Sequence, residues 1–320
     1  MDLLLPSLAL IFGLVLLTVG ADRLIAGACS VARRARLSEA VIGATIIAGG
    51  TSMPELVASL AGALEGQYGL AVGNVVGSNS FNIGAILGLV ALIAPLAVAP
   101  VIARRDWWFM AVVSLACCGV AFAFGQLPRW ACAGFLAGWL GYVFWSVRAC
   151  RAAPEEERPE PAMTWPIALF WLALGIVLLT AGGWILVWGA VGLARSAGIS
   201  DALIGLTIVA AGTSAPELVT SLLAARRGQH QIAVANIVGS NSFNILLILG
   251  TTGLFGSLPV APEILHRDLW WMLGFSLVLP LLWGRRLILG RPAGALLLAA
   301  YLIYLGLLIA SALSPGAAAA

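Results

Sequence analysis

The chain has no lysine, only two histidines and little charge of any kind. Of its 320 residues 10% are charged, and every one of its 17 basic residues is arginine. An intramembrane hydrolase working through a Thr-Ser hydroxyl is disfavoured, because the hydroxyl needs a nearby base and neither lysine nor a histidine within an apolar span is present to supply it. Cysteine is scarce as well. Cys29, Cys117, Cys118, Cys132 and Cys150 show no C-x-x-C spacing and lie in apolar stretches or at their ends, so they read as small packing residues. The remaining composition, 61% hydrophobic with a mean hydropathy of +1.03, excludes an ordinary soluble globular protein and leaves a polytopic membrane protein embedded in a lipid bilayer. The net charge of +3 comes from arginines in loops and describes no nucleic-acid surface.

Apolar spans are expected at 3–31, 39–62, 68–94, 106–125, 129–149, 164–194, 201–225, 231–256, 268–284 and 293–313. With the N-terminus outside, the inner loops collect Arg33, Arg34, Arg36, Arg104, Arg105, Arg148, Arg151, Arg158, Arg226, Arg227, Arg285, Arg286 and Arg291. The outer loops keep Arg129, Arg195 and Arg267. That asymmetry favours both termini outside. The first span reads as retained rather than as a cleaved signal, since Asp2 stands where a basic segment would be and the apolar run is too long. Trp107, Trp108, Trp165, Trp270 and Trp271 near span ends read as interfacial anchors, and His230 and His266 as loop residues that ligate no metal. Residues 151–163 read as a solvated cytoplasmic linker between a first half, 1–150, and a second, 164–320. Glu155, Glu156, Glu157 and Glu160 in it are too loosely placed for a calcium cage.

The halves are copies. G-T-S-M-P-E-L at 50–56 returns as G-T-S-A-P-E-L at 212–218, and V-V-G-S-N-S-F-N at 75–82 as I-V-G-S-N-S-F-N at 237–244, both 162 positions on. Gly27 matches Gly189, and Arg105-Asp106 matches Arg267-Asp268, in the same register. Five spans per copy, an odd number, set the second copy upside down relative to the first. The expected fold is therefore all-α and polytopic, with ten transmembrane helices as two inverted-topology five-helix repeats and broken helices at the midplane.

On a helix Ala48, Thr51, Ser52 and Glu55 share one face, as do Ala210, Thr213, Ser214 and Glu217. Pro54 and Pro216 have no N–H to give the carbonyls of Gly50 and Gly212, so a break with available carbonyl oxygens is expected beside each stripe. Broken backbone at membrane depth is tolerated only where it is buried in protein or faces a wet cavity. Ser78 with Asn82, and Ser240 with Asn244, add hydroxyl and amide oxygens. Asn79 and Asn241 point off that face and read as interhelical hydrogen bonders, while Asn74 and Asn236 are candidates for lining an access path. Every donor is oxygen, which suits Na⁺, Ca²⁺ or Mg²⁺. Two carboxylates at membrane depth cost about 2.5 to 3.5 kcal/mol each on insertion scales, and a bound cation offsets that. Only Arg23 lies near the same depth, beside Asp22.

G-T-S-x-P-E-L followed by G-S-N-x-F-N, in two copies, resembles the repeats of the cation/calcium exchanger superfamily, and within it the prokaryotic sodium/calcium exchangers. The resemblance implies an antiporter driven by inward Na⁺ to extrude Ca²⁺ across a bacterial inner membrane. These two ions would be its substrates, it would need no cofactor, and one chain would hold a complete site. Position by position it implies ion ligands at Ala48 and Ala210, through their carbonyls, with Thr51, Ser52, Glu55, Ser78 and Asn82, and Thr213, Ser214, Glu217, Ser240 and Asn244. Relatives that also use K⁺ carry aspartate where this chain has Asn244, so transport without K⁺ is implied. Proton-coupled relatives carry G-N-x-x-E in place of G-T-S-x-P-E and are the second reading. A passive channel is a third, made less favourable by the inverted repeat.

Overall fold

The computed structural model describes residues 3–151, 163–198 and 210–313. Residues 152–162 of the expected linker, with its four glutamates, and 201–209 of the expected seventh span lie outside them. The helices in chain order are α1 (Leu4–Ala35), α2 (Glu39–Thr51), α3 (Met53–Leu64), α4 (Tyr68–Ile93), α5 (Ile102–Phe124), α6 (Arg129–Arg151) and α7 (Trp165–Ser196). They continue with α8 (Ala210–Thr213), α9 (Ala215–Arg226), α10 (His230–Thr252), α11 (Leu269–Trp283) and α12 (Arg291–Leu313). Among the described residues seven helices are long and apolar enough to cross a membrane, or eight with α2 and α3 taken as one bent span.

α4 and α10 form the buried centre, whereas α1, α7 and α12 expose most of their apolar surface, including Phe12, Trp184, Trp188 and Ile303. Large apolar side chains facing outward all along a helix are what a lipid-contacting element presents. Two short antiparallel pairs tie the halves together at their loops. β1 (Leu96–Ala97) pairs with β4 (Ile288–Leu289), and β2 (Gln126–Leu127) with β3 (Leu258–Pro259).

The interruption expected at Pro54 falls at Ser52, which leaves helical geometry at φ −83°, ψ 11° and bends α3 by 47° from α2. Proline is tolerated in the first turn of a helix, so the break settles just before it. Ser214 does the same ahead of Pro216, at φ −88°, ψ 8°. Further irregularities recur 162 residues apart. π-helical turns run over Asn82–Leu87 and Asn244–Leu249, and over Ile102–Asp106 and Ile264–Asp268, and left-handed glycines stand at 66 and 228.

α1 and α7 pack backbone to backbone. Gly13, Gly20 and Gly27 recur every seventh residue on α1, and their closest neighbours on α7 fall in number from Leu186 through Leu179 to Leu172, so the two helices run antiparallel. Small residues permit such close approach between membrane helices. A Cβ on Gly20 would lie 2.8 Å from the Leu179 nitrogen.

Two expectations need correcting. Trp107 is no interfacial anchor: it is buried, with Nε1 donating to the Ser276 carbonyl at 2.8 Å where α5 meets α11, whereas Trp108, Trp165 and Trp270 are exposed. His230 and His266 are not in loops. His230 is the first residue of α10, and His266 lies in the π-helical turn leading into α11.

Gly20→Ala should destabilise the protein by about 1 to 3 kcal/mol, because backbone cannot yield to the added methyl. A fall in the thermal midpoint of the detergent-purified protein checks this. Gly119→Ala, where a Cβ meets nothing within 4 Å, should leave that midpoint unchanged.

Candidate cation site

The helix breaks place Glu55 in the first turn of α3 and Glu217 in the first turn of α9. A helix N-terminus carries partial positive charge and unpartnered N–H groups, which favours a carboxylate there. Both glutamates are completely buried. Among the described residues neither has an ion pair with a basic side chain. Arg23, the basic residue expected near that depth, pairs with Asp22 at 3.4 Å and lies over the Trp171 ring, while Asp22 also pairs with Arg227.

Each carboxylate is held from the opposite half. Ser52 Oγ donates to Glu217 Oε1 at 2.7 Å, and Ser214 Oγ donates to Glu55 Oε1 at 2.9 Å. A hydroxyl donating to a carboxylate makes a short, strong bond. The second oxygen of each carboxylate, Glu55 Oε2 and Glu217 Oε2, is buried and has no hydrogen-bond partner among the described residues. The same holds for Asn82 Oδ1 and Asn244 Oδ1. A buried acceptor without a donor is unfavourable, and these four, in repeat-related pairs, are acceptors of the kind a cation would satisfy.

Further oxygens stand beside them. Thr51 Oγ1 lies 3.1 Å from the Ala48 carbonyl, 3.2 Å from Asn236 Oδ1 and 3.5 Å from Ser240 Oγ. Ser240 Oγ in turn donates to the Ala48 carbonyl at 3.5 Å. Of the residues singled out by sequence, Ala48, Thr51, Ser52, Glu55, Ser78, Asn82, Ser214, Glu217, Ser240 and Asn244 are all buried, and Thr213 is partly so. Ala210 is the first residue of α8, and Ser78 lies on α4, one turn before Asn82.

Asparagine amides make further contacts around the cluster. Asn236 accepts from Thr51 while its Nδ2 donates to Ser221 Oγ at 3.0 Å, and Asn74 Nδ2 donates to the Glu55 carbonyl at 3.2 Å and to Ser59 Oγ at 3.0 Å. Asn79 and Asn241 bond each other's backbone carbonyls across the α4–α10 contact, both at 3.1 Å. The spacing signal for Asn236 was its place one turn before Ser240. Ser59 and Ser221 went unread, although each lies one turn beyond its glutamate on the same helix.

A cavity of about 540 Å³ reaches this cluster, lined by Ser59, Asn74, Gly77, Thr213, Asp268 and Tyr304 among others. Asn74 and Thr213 are partly exposed in it, while their counterparts Asn236 and Thr51 are fully buried. The contrast is sharpest at glycine. Among the described residues a Cβ on Gly77 would meet nothing within 4 Å, whereas one on Gly239 would press on the Ala44 backbone.

The model of the sodium/calcium exchanger protein family matches residues 6–148 and again 167–310. The chain belongs to that family. The sodium/calcium exchanger MaX1 of Methanosarcina acetivorans is 33% identical over 93% of this chain and 97% of its own length. The inner membrane protein YrbG of Escherichia coli is 36% identical over 96% and 97%. The solved structure of the sodium-calcium exchanger NCX_Mj, soaked with 2.5 mM Na⁺ and 10 mM Sr²⁺, superposes with a TM-score of 0.83 at 31% identity, covering 95% of this chain and 99% of that one. This member of the cation/calcium exchanger superfamily is thus a multi-pass membrane antiporter of cations including Ca²⁺.

Ser52→Ala would leave Glu217 Oε1 without its donor. A hydrogen bond to a charged group is worth about 1.5 to 3 kcal/mol, so the variant should melt earlier than wild type in buffer free of Na⁺ and Ca²⁺. Saturating Ca²⁺ should raise both midpoints, since a ligand that binds only the folded state stabilises it.

Proposed function

We propose that the chain is an electrogenic Na⁺/Ca²⁺ antiporter that extrudes Ca²⁺ by alternating access and needs no K⁺. Ala48, Thr51, Ser52, Glu55, Ser78 and Asn82 join Ala210, Thr213, Ser214, Glu217, Ser240 and Asn244 as the shared ligand set for Ca²⁺ and the competing Na⁺. The carrying observation is the crossed pair of serine-to-carboxylate bonds, which leaves Glu55 Oε2 and Glu217 Oε2 without a partner among the described residues. A divalent cation, or two or more monovalent ones, balances the two carboxylates. An ion-free, fully charged site is unfavourable at membrane depth, so the protein changes access more readily loaded than empty.

In this reading ten helices form two halves, 1–150 and 164–320, in inverted orientation around a cytoplasmic linker at 151–163. Both termini lie outside a bacterial inner membrane, and a single chain suffices for transport. The antiparallel run of α1 and α7, which hold equivalent places in the two halves, supports the inversion, as do the breaks and π-helical turns recurring 162 residues apart. The cavity that reaches Thr213 then opens outward. Net positive charge moving inward with each cycle would draw about 2.3 kcal/mol per charge from a 100 mV potential. Asparagine at both 82 and 244 leaves two carboxylates as the only charged donors, which supports independence from K⁺.

The decisive experiment is ⁴⁵Ca²⁺ uptake into proteoliposomes of the purified protein. A Na⁺ gradient should drive uptake, a pH gradient should not, K⁺ should have no effect, and a membrane potential of the appropriate sign should accelerate it. Uptake driven by a proton gradient instead would turn the assignment to a Ca²⁺/H⁺ exchanger. Glu55→Gln and Glu217→Gln should each lower flux by at least tenfold, about what losing 1.4 kcal/mol of ion binding would produce. Normal Na⁺-dependent flux in both would sink the mechanism.

A further inference from the structure

We infer that Asn79 and Asn241, outside the ligand set, are positioning residues that determine which end of the site amides Asn244 and Asn82 faces the cation. The inference rests on the reading of Asn82 and Asn244 as ligands. An asparagine amide has two ends of almost equal shape and opposite character. Its oxygen accepts a cation, while its NH₂ group only donates and repels one. A half-turn of the side chain therefore converts a ligand into an obstacle, a fault that a carboxylate with two equivalent oxygens does not have.

Two relays prevent that half-turn, and each begins at a backbone carbonyl, which has no second orientation. The Asn241 carbonyl accepts from Asn79 Nδ2 at 3.1 Å, so Asn79 Oδ1 must point the other way. The remaining hydrogen of that Nδ2 lies toward Met272 Sδ at 3.9 Å. Asn79 Oδ1 then accepts from Asn244 Nδ2 at 3.0 Å, and Asn244 Oδ1 is left buried and unpartnered. The mirror relay starts at the Asn79 carbonyl. It accepts from Asn241 Nδ2 at 3.1 Å, Asn241 Oδ1 accepts from Asn82 Nδ2 at 3.1 Å, and Asn82 Oδ1 is left unpartnered in turn. Turning any one of the four amides would set oxygen against oxygen or NH₂ against NH₂ where no water replaces the lost bond. Both relays cross between α4 and α10, so the geometry of each half's ligand depends on the other half.

A double-mutant cycle on the full-length protein tests this, read as equilibrium ⁴⁵Ca²⁺ binding in Na⁺-free detergent solution. Asn79→Ala frees the Asn244 amide and should weaken Ca²⁺ binding roughly 10- to 100-fold, the usual consequence of losing a partner that orients a metal ligand. In the Asn244→Ala background no amide remains to turn inward, so adding Asn79→Ala should change affinity by less than about twofold, the spread expected of independent sites. Asn241→Ala with Asn82→Ala repeats the cycle on the other relay. Equal losses in both backgrounds would overturn the inference, because they would mean that Asn79 serves packing alone. Should Asn79→Ala fail to fold, the mirror cycle with Asn241→Ala and Asn82→Ala carries the test, and equal losses with and without Asn82 would likewise overturn the inference. The underlying site reading fails separately, if Glu55→Gln and Glu217→Gln leave Ca²⁺ binding intact.

Discussion

Two carboxylates buried without a basic partner are the constraint to which the centre of this protein answers. Repulsion between Glu55 and Glu217 and the loss of their hydration both oppose folding. The structure meets this with helix N-termini, with one hydroxyl donor per carboxylate and with free oxygens for a mobile counter-charge. The breaks at Ser52 and Ser214 follow from this need, because only an interrupted helix offers an N-terminus at that depth. On the proposed reading exchange replaces salt-bridging: an arginine in place of the counter-ion would satisfy the charge permanently and leave nothing to transport.

The crossed serine bonds give the site its second property. The serine at each break bonds the glutamate of the other half, Ser52 serving Glu217 and Ser214 serving Glu55. Changes in the packing of one half therefore reach the ligands of the other directly, without an intervening path. The reciprocal bonds between Asn79 and Asn241 carry the same dependence into the α4–α10 contact.

Much of this was legible because glycine, proline and paired motifs act locally. The G-T-S-x-P-E-L spacing located both breaks to within two residues, and the all-oxygen stripe named the buried donors. What crosses between halves was not legible. Helical periodicity shows which residues share a face of one helix, and from it Ser52 belongs with Glu55, whereas its oxygen bonds Glu217. Trp107 was misread for a related reason. Nearness to a span end distinguishes anchors only when nothing packs over them, and α11 covers Trp107. The histidines were assigned to loops because neither lies in a continuous apolar run, yet helical turns extend past the apolar spans at both places.

Gly77 and Gly239 hold the same place in the same motif, yet Gly77 lines the cavity while Gly239 is pressed against the Ala44 backbone. On the proposed alternating-access reading the two halves trade places, so each glycine meets the crowded environment in one of the two states. Sequence in such a molecule satisfies two packings at once, and a residue's surroundings in either state alone understate what it must tolerate.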